Sequence, residues 1–186
     1  MSPDNLWALL WGDSGQFHEL HVAHATCWVP CQDRRRFARL LGDDDVTVSL
    51  VPRTDRDALA LGSAHVLWAR LESPACATGL AQLPVSPSLV VREGGSSRRW
   101  ALWALSRPLS GDWITQANER ISFALKGRRG AADASACFPS PFTRLTHKAR
   151  PVKLYAEYES GSYATARQIV GRLRDAPATD GWKVAA

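Results

Sequence analysis

VTVSLVPRTDRDALALGSAHVLWARLES, residues 46–73, holds two strands and the turn between them. VTVSLVP alternates strictly, the period of a half-buried strand. PRTDRDALALGSA is rich in turn formers. HVLWARLES is the second strand. Arg70 and Glu72 fall on one face of it, because side chains two apart on a strand point the same way.

Toward the C-terminus, SPSLVVRE and WALWALS read as two further strands, joined through REGGSSRR (residues 92–99) as a hairpin. GDWITQANERISFALKG is the best helix, with Asp112 as its cap and Ile114, Ala117, Ile121, Ala124 and Leu125 as its buried stripe. VKLYAEYES is a last strand. SYATARQIVGRLRD is an amphipathic helix with Ala166, Ile169, Val170 and Leu173 on one side. Toward the N-terminus, DRRRFARLLGDDD is a helix capped by Asp33, with Gly42 just past its end. FHELHVAHATCWVP reads as one strand, with Leu20 and Val22 inward, although the next inward slot is His24. LWALLWG, residues 6–12, is apolar at helical spacing. Strands in a hairpin with helices between them argue an α+β fold with a mixed sheet.

The 186 residues suffice for one sizeable core. We expect a single domain over residues 1–175 and a tail over 176–186. Apolar residues are 45% and charged residues 22%, ordinary for a globular chain. No apolar run reaches the ~20 residues of a membrane helix, and no signal peptide is legible. A cytoplasmic protein with no membrane partner is the expectation. Cys27, Cys31, Cys76 and Cys137 form no disulfide or zinc framework and read as reduced thiols. The net charge of +5 permits nucleic-acid binding. GGSS within REGGSSRR is no phosphate-cradling loop, because the Gly-Lys-Ser/Thr ending is missing.

Three segments, in order, resemble bacterial and phage members of the archaeo-eukaryotic primase (primase–polymerase) superfamily. Residues 46–73 resemble that family's strand, Pro-Arg loop and Trp-bearing strand ending in an Asp-x-Asp pair. SPSLVVREGGSSRRWALWALSRPL resembles its Pro-Ser strand, Gly-rich turn and strand carrying a catalytic His. DASACFPSPFTRLTHKARPVKL resembles its Asp-initiated loop running into Pro-Gly-Thr-x-Asn-His-Lys and Arg-Pro. The resemblance implies a primase–polymerase-like mixed sheet with an RRM-like core, flanked by helices. It also implies DNA replication on a plasmid, phage or other mobile genetic element.

The departures bear on chemistry. Nucleotidyl transfer needs two divalent ions held by carboxylates. The Asp-x-Asp pair corresponds here to Arg70 and Glu72, about 7 Å apart along the strand. A guanidinium there neutralises Glu72 and repels a metal, and it cannot deprotonate. The family's His corresponds to Trp100, which has no acceptor. Asp133 keeps its carboxylate. Pro141-Phe142-Thr143 replaces the Pro-Gly-Thr turn. Glu72 and Asp133 are therefore remnant catalytic positions, and no metal or other cofactor is expected.

The leading expectation is a degenerate, non-catalytic homologue that binds DNA, single-stranded or primer–template, or a replication partner such as a primase or helicase. Arg70, Arg98, Arg99, Lys148, Arg150 and Lys153 would face the backbone, with Trp100 and Trp103 stacking on bases. One alternative is an active primase or polymerase using Glu72 and Asp133 with Mg²⁺ or Mn²⁺. Another is a protein-interaction module that pairs with, or inhibits, an active primase. Arg34, Arg35, Arg36 and Arg39 read either as a solvated helix face or as a phosphate contact.

Overall fold

The computed structural model describes residues 17–22, 25–41, 46–93, 97–127, 129–139, 144–147, 150–159 and 162–175. The expectations placed on residues 6–12, Gly42, Pro141-Phe142-Thr143, Lys148 and 176–186 lie outside them.

Phe17–Pro30 is a hairpin rather than one strand. β1 (Phe17–Val22) pairs antiparallel with β2 (Ala25–Pro30), down to Val22↔Ala25. Only Ala23 and His24 stand between the two strands in the sequence, where the inward alternation runs into His24. No Gly, Pro or Asn marks that turn, so pattern alone does not show it. α1 (Arg34–Leu41) follows, and the Asp33 carboxylate accepts the Arg36 N–H at 3.1 Å as its cap. Phe37 and Leu41 are buried. β3 (Val46–Ser49) pairs with β1 on one side and with β7 (Cys137–Pro139) on the other, which completes a four-stranded sheet in the order β2-β1-β3-β7.

A second sheet contains β4 (Ser63–Leu71), β5 (Leu89–Glu93), β6 (Arg99–Ser110), β8 (Arg144–His147), β9 (Arg150–Glu159) and β10 (Tyr163–Ala164). The hairpin expected around REGGSSRR joins β5 to β6, paired to Arg92↔Arg99. β6 is the spine. It pairs with β4 on one side and β5 on the other, and with β10 in parallel, so the sheet is mixed.

The two faces of this sheet belong to different cores. Val66, Trp68, Leu89, Val91, Trp100 and Leu102 pack in one cluster with Leu20, Val48 and Phe138 of the first sheet. Leu67, Ala69, Leu71, Ala101, Trp103 and Leu105 face the helices. Those helices are α3 (Asp112–Ala124) and α4 (Ala166–Val170), which bury Ile121, Ile169 and Val170. A short helix, α2 (Pro74–Thr78), follows β4.

Three local expectations need correction. Asp112 is not the cap of α3. It lies in the first turn after Gly111, whose φ of 64° suits a glycine. Ala124 is exposed, while Leu125 completes the buried stripe. The C-terminal helix stops after Val170, although Thr165 and Gln168 form a full capping box at its start.

Candidate nucleic-acid interface

The alternation of β4 sends Trp68 into the inter-sheet core, and Arg70 and Glu72 follow on the same face. Arg70 stands opposite Trp100 of β6 in the register. Its guanidinium carbon is 5.8 Å from the Trp100 ring centroid, a cation–π distance. Its Nε is 3.4 Å from Glu72 Oε1. Arg98, on the same side of the β6 end, brings its Nε to 3.2 Å from Glu72 Oε2. Ser97 Oγ donates to the Glu72 carbonyl at 3.2 Å, which ties the 97–99 turn to the end of β4.

The expected basic group is thus divided. Arg99 opens β6 and pairs with Leu71 and Arg92, whereas Arg98 lies just before the strand and turns to Glu72. Its Nη1 donates to the Ser97 carbonyl at 2.8 Å. Arg150 and Lys153 lie on β9, opposite His147 and Arg144 of β8.

Trp100 and Trp103 do not serve as stacking platforms, because both are buried, at 4% and 1% exposure. Trp100 packs edge-on against Phe138 of β7, with centroids 5.7 Å apart at 83°. It fills the space between the sheets where the resemblance puts a histidine. Among the described residues its Nε1–H has no acceptor. Trp103 lies on the helix side, and its Nε1 donates to the Val85 carbonyl at 2.9 Å.

Asp133 lies on a loop that is firmly held. Trp68 Nε1 donates to the Ala131 carbonyl at 2.6 Å, and Asn118 Nδ2 donates to that of Ala132 at 3.2 Å. Thr115 Oγ1 accepts the Ala134 N–H at 3.1 Å. The Asp133 side chain is exposed, and its Oδ1 accepts from the Ser135 N–H at 2.7 Å and from Ser135 Oγ at 2.5 Å. Such a turn orders the loop by itself. Gly127, at the end of α3, backs onto Arg70, where a Cβ would come within 2.8 Å of the Arg70 carbonyl oxygen.

These residues do not fit a two-metal centre. Each oxygen of Glu72 faces a guanidinium, and an ion there would stand against two permanent cations. Among the described residues no three His, Cys, Asp or Glu side chains gather as a ligand set.

A second charged group links the loop after β3 to β1. Arg53 follows Pro52 in the loop after β3, and it is 1% exposed. Its Nε and Nη2 donate to Glu19 Oε2 of β1 at 2.9 and 2.7 Å. His21 Nε2 is 3.1 Å from Glu19 Oε1. Burial and the nearby Glu19 charge push the Cys137 thiol up to about 11, an inert thiol, with Arg53 opposing. All four cysteines are free. The Pro-Arg loop is visible in the sequence, but nothing in its spacing points to a partner 34 residues earlier.

Three solved structures are similar to this chain in fold. The archaeo-eukaryotic primase domain of the cyanophage S-2L primase–polymerase matches with a TM-score of 0.65 at 12% identity, over 91% of this chain and 95% of that one. The chain has the primase–polymerase fold. Primase RepB′ matches with a TM-score of 0.60 at 12% identity, over 89% of this chain and 59% of that one. The RepB′ catalytic domain in complex with initiator DNA matches at 0.58 and 14%, over 88% of each. No family model and no curated protein matches the sequence. Among the described residues no helix is long and apolar enough to cross a membrane.

Proposed function

We propose that the chain is a primase–polymerase homologue without nucleotidyl-transfer chemistry, and that it binds nucleic acid in the replication of a plasmid, phage or similar element. The observation that carries this reading is the Arg70–Glu72–Arg98 group, in which arginines occupy both oxygens of the one carboxylate on that strand face. A metal-binding edge has become a cationic one, and it suits phosphates rather than metal ions. DNA in complex with one structural neighbour supports the choice of ligand.

Two measurements test it. Labelled single-stranded and primer–template DNA, titrated across a salt series, should bind with a clear salt dependence. Nucleotide incorporation with Mg²⁺ or Mn²⁺ should be absent. Template-dependent incorporation that disappears in Asp133→Ala overturns the non-catalytic half of the proposal.

A second reading rests on Trp113, 66% exposed. It borders an apolar groove of about 260 Å³ with Leu109, Ala117 and Val170. A large exposed aromatic beside such a groove suits a protein partner, such as an active primase or a helicase. Absent DNA binding at low salt, with co-purification of a replication protein that Trp113→Ala abolishes, favours this reading.

A further inference from the structure

At the sheet edge Arg70 and Arg98 already face Glu72. On α1 the situation is reversed. Arg34, Arg35, Arg36 and Arg39 are all exposed, four cations in six residues, while Phe37 and Leu41 point inward. Among the described residues Arg35, Arg36 and Arg39 make no ion pair, and the first turn of the helix contains no acid.

This is an unfavourable way to build a solvated helix. The helix start carries the positive end of the dipole, and three arginines crowd there. Arg35 and Arg39 are four apart, so like charges share one side. In the sequence the acids Asp43, Asp44 and Asp45 come after the helix rather than before it. The local compensations are the Asp33 cap on the Arg36 N–H and the place of Arg39 in the last turn, where the dipole favours a cation. The ring against Phe37 is His18, held neutral by burial, so it supplies no charge from below. A local rule broken without structural return is expected at functional positions.

We propose that the Arg35–Arg36–Arg39 face of α1 is the principal docking surface for the phosphate backbone of a nucleic-acid strand. The inference rests on the nucleic-acid reading above and places the contact on the first sheet's helix rather than at the Glu72 edge. Guanidiniums take phosphate oxygens bidentately. Among the described residues no aromatic or apolar side chain of α1 is exposed beside them, so the surface grips backbone and ignores base identity. Arg35 and Arg39 lie about 6 Å apart along the axis, one turn of the helix.

The test uses the full chain with Arg35→Gln, Arg36→Gln and Arg39→Gln combined, titrated with labelled single-stranded DNA across a salt series. Three lost phosphate contacts should flatten the slope of log K against log salt by about 2 and weaken low-salt binding at least about tenfold. The matching triple Lys variant should keep the slope. Binding by the unaltered chain with an unchanged slope in the Gln triple overturns this inference and leaves the proposed function standing. Equal loss in the Lys and Gln triples also overturns it, because charge is then not the cause. No binding by the unaltered chain overturns the proposed function itself. Circular dichroism should give the Gln triple an equal or higher melting temperature, and a lower one counts against the frustrated-helix argument.

Discussion

Glu19 and Glu72 each meet arginine, but Glu19 is 4% exposed and the Glu72 side chain 19%. Arg53 donates twice to one oxygen of Glu19 and is itself buried. Arg70 and Arg98 approach Glu72 from two sides, and Arg98 is nearly half exposed. The first arrangement closes the fold, because a charge removed from water is tolerable only with its partner in place. The second is shallow, and water and salt screen it. Depth, rather than the residue types, separates a structural ion pair from one that sets what a surface can bind.

The largest effect should come from breaking the deep pair. Arg53→Met leaves the Glu19 carboxylate buried without its guanidinium, and urea unfolding should show a loss of roughly 4 kcal/mol. Adding Glu19→Leu should recover much of it, because the uncompensated charge is then gone. A loss under about 1 kcal/mol in the single variant would falsify the structural reading of the pair.

Next comes the tryptophan beside the shallow cluster. Trp100→Ala removes the packing on Phe138 and should cost about 3 kcal/mol. Trp100→Phe keeps an aromatic ring and deletes a donor that has no acceptor among the described residues, so it should cost far less. Equal costs would mean that the indole N–H is satisfied after all.

The third prediction concerns His18, which neighbours Glu19 on β1 but faces α1. Burial lowers its pKa from 6.5 to about 3. In the unfolded chain the imidazole takes up its proton near pH 6.5. Between those two values the unfolded state holds the extra proton. Stability is therefore complete above pH 6.5 and falls as the pH drops toward 3. At pH 5 the loss from this group should be roughly 2 kcal/mol, and His18→Leu should remove that share of the acid limb. An acid limb of the same depth in the variant rules the histidine out as its source.

The sequence shows these regions unequally, and the reasons are physical. The β5–β6 hairpin is legible because a Gly/Ser turn interrupts two alternating runs. Arg70 and Glu72 are legible as a same-face pair because strand period is local. Arg98 precedes β6 and meets Glu72 while Arg99 opens the strand, yet a basic run invites reading as one patch. The depth of Trp100 and Trp103 is set by Phe138 and Val85, which other segments supply. The β1–β2 reversal has no turn chemistry to mark it. The Glu19–Arg53 pair joins residues that no spacing rule connects.

The smallest change in stability should come from Glu72→Gln, and it probes the comparison most directly. The variant keeps the shape of Glu72 and removes its charge. A shallow pair of this kind contributes at most about 1 kcal/mol, so urea unfolding should barely move. Binding should move the other way from the α1 variant. With the carboxylate gone, Arg70 and Arg98 present their charge to phosphate, and the salt slope should steepen by about 1. A stability loss like that of Arg53→Met would make the Glu72 edge structural and erase the distinction between the two regions. Unchanged affinity with unchanged stability would take Arg70 and Arg98 out of the phosphate path and leave α1 as the cationic surface that matters. Steeper binding would mean that Glu72 restrains the arginines beside it.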